Sequence, residues 1–220
     1  MNLYKINKEY SLVLFFFNLF VILSISEFLD RKEIIVPFQT SLCFFLISIV
    51  GISHGALDHI KGFNLMKIYK IQNKYLFFPI YIIISLSIII LWILLPSLTL
   101  LLFLIIASYH FGKEDCSVGK IIKIRFENLL YLLKGSLVII APLAFHTNET
   151  LEIFQILNVD IIAPHENFLF GLILISLIAN IIIVHKSNNE GFFLADWLTV
   201  LSLNIFLSPL VAFTIYFCFL

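Results

Sequence analysis

An all-α, polytopic membrane bundle is the fold this sequence predicts, and three observations predict it. Hydrophobic residues make up 61% of the chain and charged residues 13%, with a mean hydropathy of +1.05. So few polar groups cannot clothe a water-soluble body of 220 residues. Apolar stretches close to the roughly 20 residues that cross a bilayer's hydrocarbon recur along the chain. None alternates polar with apolar residues, so the strand pattern of a membrane barrel is not supported.

The apolar regions run, in order, over Ser11–Phe28, Pro37–His54, Tyr75–Leu95, Ser97–His110, Leu129–Phe145, Phe168–His185 and from Phe192 to Leu220. The first follows Lys5 and Lys8, as a signal peptide would, but no small-x-small cleavage site comes after Ile25, so an uncleaved helix is expected. Pro37, Pro96 and Pro164 lie in or beside turns, and Pro79 and Pro142 near span ends, where a missing N–H costs least. The last region would measure about 43 Å as one helix, too long for one upright crossing and too short for two. Pro209 is the natural turn between a seventh and an eighth span. The expectation is one integral-membrane domain over residues 1–220, with about seven to eight transmembrane helices and the last one incomplete.

Fourteen Lys+Arg balance fourteen Asp+Glu, which removes the case for a nucleic-acid partner. Cys43, Cys116 and Cys218 form no CxxC pair, so no disulfide framework is expected. The cations set orientation. With the N-terminus in the cytoplasm, Lys5, Lys8, Lys61, Lys67, Lys70, Lys74, Lys113, Lys120, Lys123, Arg125 and Lys186 fall inside and only Arg31 and Lys32 outside. Lys134 is the exception, within the fifth span. The stretch from His146 to Asn167 then becomes an outward loop carrying four acids and no Lys or Arg.

Two polar islands end apolar runs: Ser53-His54-Gly55-Ala56-Leu57-Asp58-His59 and Ser108-Tyr109-His110-Phe111-Gly112-Lys113-Glu114-Asp115. Ionisable groups at such sites are expensive to place and invite a chemical explanation. In this topology His54 and His110 end two helices at the same cytoplasmic depth. Two imidazoles from separate helices can converge on iron, zinc or copper. Asp58 follows His54 by four residues and Glu114 follows His110 by four, which shares a face if helix continues through the glycine. Such acids can hold a ring tautomer. Snorkelling towards headgroups is the plain alternative for any single histidine. His59 lies about 140° from His54 around a helix and suits a supporting role better than a shared ligand role. His146, His165 and His185 read as interfacial. Asp196, Asn180 and Asn204 are intramembrane polar groups equally suited to structural hydrogen bonds.

His54-Gly-Ala-Leu-Asp58-His59, Tyr109-His110-Phe-Gly-Lys-Glu114-Asp115 and the terminal Ser208-Pro209-Leu210 with Phe213-Thr-Ile-Tyr216-Phe217-Cys218 resemble the Brp/Blh family of bacterial and archaeal membrane β-carotene 15,15'-dioxygenases. The resemblance implies a non-haem Fe(2+) held by histidines, and O2 cleaving the central double bond of β-carotene to give two retinal molecules. It implies a place in the cell membrane and retinal passing to a microbial rhodopsin. His54 and His110 match two of the family's iron ligands; Asp58, His59, Tyr109, Glu114 and Asp115 are the expected supporting residues. The family's other two ligands are expected in a Trp-His-Ser-x-x-His-like segment directly after the stretch resembling Tyr216-Phe217-Cys218, and the chain stops at Leu220. The expectation is therefore a truncated copy with little or no activity on its own. Two readings stand beside it: a haem- or metal-binding electron-transfer protein, and a transporter or structural bundle with incidental histidines.

Overall fold

The computed structural model describes residues 32–55, 58–71, 73–116, 126–186 and 190–219. The first apolar region, Ser11–Phe28, lies outside them. The described residues are all-helical in their regular elements, with no strand among them. In chain order the helices are α1 Lys32–Gly55, α2 Asp58–Ile68, α3 Phe77–Leu94, α4 Pro96–Cys116, α5 Glu127–Gly135, α6 Leu137–Phe145, α7 Thr147–Ile156, α8 Glu166–His185, α9 Glu190–Phe206 and α10 Pro209–Phe219.

Four segments are long and apolar enough to cross a membrane: Phe77–Leu94, Pro96–Cys116, Glu127–Phe145 and Glu166–His185. The stretches Gln39–Gly51, Phe193–Phe206 and Pro209–Phe219 are shorter apolar helical segments. Two prolines mark breaks, whereas Pro37, expected in or beside a turn, lies within α1, and Pro79 and Pro142 lie within α3 and α6. Pro96 opens α4 and Pro209 opens α10, each at the first helical position, where a missing N–H belongs to the unpaired set anyway. The last apolar region thus divides into helices of 17 and 11 residues. By contrast, α5 and α6 run as one span through Ser136, which stays in the right-handed helical region and donates its N–H to the Leu132 carbonyl.

The stretch after α6, expected as an outward loop, instead holds α7. Thr150 Oγ1 bonds the carbonyl oxygens of Pro142 (3.0 Å) and His146 (2.9 Å), tying the new helix to the end of the old one. Asn158, at φ 58°, ends α7, and the Val159 N–H returns to the Phe154 carbonyl. Val159 then packs with Phe154 and Leu100, the hydrophobic contact that accompanies such a stop. An amphipathic single helix with an Asn terminator has little of the length that marks a span, and its sequence reads as loop.

The core is where α5, α6, α8, α9 and α10 meet. Leu137, Val138, Ala141, Ile173, Trp197, Val200 and Tyr216 form one buried cluster, and Cys116, Leu130, Ala179, Ile183 and Phe193 another beside it. No residue of α3 is buried, the disposition of a lipid-facing helix. Trp92 anchors its end by donating Nε1–H to the Leu157 carbonyl at 3.3 Å. In hydrocarbon, lipid tails are as apolar as leucine, so close packing and polar bonds decide which helices associate. Both are concentrated at α4 and α5.

Candidate functional site

The second island is the better described. Helix α4 continues through Gly112 to Cys116, so residues four apart share a face. His110 Nε2 lies 3.9 Å from Glu114 Oε2, with the two side chains 58% and 71% exposed. Tyr109 donates its hydroxyl to Asn128 Oδ1 at 3.2 Å, and Lys113 Nζ sits 5.6 Å from the centre of the Tyr109 ring. Of the first island, His54 and Gly55 lie at the end of the described part of α1 and Asp58 opens α2, with residues 56–57 outside the described residues. The side chains of His54 and Asp58 lie outside the described residues. His59 is exposed, with its ring edge-on to Phe63 at 5.8 Å.

Asp115 turns away from His110. Five residues further along a helix is about 140° around it, and this rotation carries Asp115 into the bundle. Its Oδ2 lies 2.7 Å from Lys134 Nζ on α5, and its Oδ1 accepts the Tyr216 hydroxyl of α10 at 3.2 Å. Lys134 Nζ donates equally to Asp196 Oδ2 on α9, at 2.6 Å. Lys134 is 3% exposed and Asp196 1%. The main chain of Lys134 is held too, since its carbonyl accepts the Ser176 hydroxyl of α8 at 3.3 Å. Ser176 in turn accepts Trp197 Nε1–H at 3.1 Å. One buried ammonium therefore links three helices directly, a fourth through Asp115 and Tyr216, and a fifth through its backbone. Charges this deep persist only when paired.

Such close pairing needs α4 and α5 to touch. A Cβ on Gly112 would meet the Tyr131 carbonyl, and one on Gly135 would meet the Ser108 carbonyl and Gly112 itself. Both glycines therefore serve close backbone approach.

The three other described histidines lie away from both islands, His146 half-buried with its Nε2 buried and without a hydrogen-bond partner among the described residues. His146 Nδ1 is 3.9 Å from Glu149, His165 Nδ1 caps α8 by accepting the Asn167 N–H at 3.3 Å, and His185 is exposed in the last turn of α8. For an iron ion, the fit is that of a partial donor set. His110 offers an exposed imidazole, whereas no group of three His, Cys, Asp or Glu converges among the described residues.

The Lys134 network was only half visible in the sequence. Lys134 stood out as a cation inside a span and Asp196 as an intramembrane acid. Their partnership across 62 residues had a usable signal, since each needs an opposite charge at membrane depth.

A family model described as beta-carotene 15,15'-dioxygenase matches residues 45–220. A protein named beta-carotene 15,15'-dioxygenase from the uncultured marine bacterium 66A03 is 28% identical over 183 residues. The aligned part covers 80% of this chain, and the chain spans 64% of that relative's length. No solved structure matches.

Proposed function

The chain belongs to the beta-carotene 15,15'-dioxygenase family, and on that premise we propose that it serves the oxidative cleavage of β-carotene at the central double bond. The carrying observation is that the matched stretch, 45–220, contains both histidine islands. One O2 adds one oxygen atom to each carbon of the broken C=C bond, giving two aldehydes and no other product, so β-carotene becomes two retinal molecules.

In this proposal Fe(2+) is held by His54 and His110, together with ligands outside the described residues. Bound iron would supply the one-electron chemistry that ground-state O2 needs to react with a closed-shell alkene. His110 would ligate from the exposed face of α4, and Glu114, 3.9 Å away, would favour one ring tautomer. Tyr109, Asp58, His59 and Asp115 are proposed as surrounding support. Seven to eight spans in the cell membrane, with the N-terminus cytoplasmic, accord with the cation asymmetry of the sequence. A wholly membranous enzyme suits a substrate that dissolves only in lipid, and retinal would leave for a retinal-binding protein such as a microbial rhodopsin.

The test is expression from the complete reading frame in cells that accumulate β-carotene. Retinal is expected in the extract, with loss of it on His54→Ala or His110→Ala. Intact carotene with well-expressed protein would count against the proposal. A Soret band in the purified protein would instead favour the haem reading.

A further inference from the structure

We propose that Lys134 is a positioning residue for His110: through Asp115 it sets the rotation of α4, and through Asp115 and Tyr216 it joins the two histidine-bearing helices. This deepens the iron reading above and rests on it. Three contacts hold the inner face of α4 within about a turn and a half of His110. Gly112 abuts Gly135, Asp115 pairs with Lys134 at 2.7 Å, and Phe111 stands edge-on to Tyr216 with ring centres 5.3 Å apart. All three belong to the side of α4 that turns from solvent, while His110 takes the other, at 58% exposure.

Tyr216 extends the joint. It belongs to α10, which packs along α1, the helix that carries His54 near its end. Its hydroxyl on Asp115 (3.2 Å) is therefore a polar link from the α1–α10 pair to α4. Lys134 orients the Asp115 carboxylate for that bond while it also holds Asp196 of α9 at 2.6 Å. Supporting residues of this kind fix ligand geometry without touching the metal.

Removing Lys134 alone would take the cation from buried Asp196 and half-buried Asp115 and threaten folding. The informative variant replaces the whole cluster, Lys134→Met with Asp115→Leu and Asp196→Leu, because buried ion networks can be exchanged for apolar residues with the fold retained. The first readout needs no metal. His110→Cys is introduced into the parent and into the apolar variant, and labelling by a water-soluble maleimide is followed by mass spectrometry of the peptide containing position 110. The expected result is a lower labelling rate in the apolar variant; an equal rate would overturn the proposal.

The second readout is iron per protein at limiting Fe(2+), expected to fall about 10-fold or more in the apolar variant with His110 in place. Iron retention equal to the parent would again overturn it. Failure of the iron reading itself looks different: the parent would hold no iron, or His110→Ala would leave its content unchanged, and the labelling rate would still decide on the joint.

Discussion

A single methyl group at position 135 should loosen the whole α4–α5 crossing. In Gly135→Ala the new Cβ meets the Ser108 carbonyl oxygen and Gly112 N, with Gly112 Cα 3.0 Å away. These are main-chain atoms, so no rotamer change relieves the clash. Ordinary carbon contacts lie at about 3.5–4.0 Å, and the helices must part by more than an ångström to reach them. Overpacking of that kind costs about 1–3 kcal/mol. The same displacement falls on Lys134, the preceding residue, whose Nζ sits 2.7 and 2.6 Å from two carboxylates. An ångström of stretch takes such bonds beyond about 3.2 Å, where they weaken steeply. The combined loss should reach about 2–4 kcal/mol. Reversible unfolding in mixed micelles on titration with a denaturing detergent, followed by tryptophan emission, would measure it. Gly171→Ala is the internal control, because a Cβ there meets nothing within 4 Å. It should be neutral or stabilise by up to about 1 kcal/mol. A Gly135→Ala protein as stable as Gly171→Ala would refute the close-crossing argument.

Three further outcomes follow from the same network. Lys134→Met should destabilise by about 3–5 kcal/mol, since it leaves Asp196 buried and Asp115 half-buried without their cation; adding Asp115→Asn and Asp196→Asn should recover most of that loss in the same titration. Tyr216→Phe removes one hydroxyl bond to a carboxylate and should cost about 1–1.5 kcal/mol, read from the unfolding midpoint. Ser176→Ala deprives the buried Trp197 Nε1–H of its acceptor, should cost about 1–3 kcal/mol, and should shift the tryptophan emission spectrum.

Much of this architecture is legible in the sequence. Long Ile, Leu and Phe runs specify spans by length alone, and the prolines at 96 and 209 mark where two helices begin, because a proline ring suits the first helical position. Helix α7 is not legible there for a physical reason: its buried Thr150 and Phe154 bind it to neighbours that a linear sequence does not display. The islands show the same division. Helix through Gly112 puts His110 and Glu114 on one face, 3.9 Å apart, since spacing of four is local geometry. Asp115, one residue on, instead goes to Lys134 and Tyr216, 19 and 101 residues away. Local spacing says which face a residue occupies; only tertiary packing says what that face meets.

The most direct measurement of the central claim is a carbon balance. β-Carotene consumed and retinal formed should be quantified together by chromatography, using protein expressed from its complete reading frame in cells supplied with the carotenoid. The account predicts two retinal molecules per β-carotene lost, and no carotene loss in His54→Ala or His110→Ala. Unaltered carotene beside abundant folded protein, or aldehydes of unequal length in place of retinal, would contradict it.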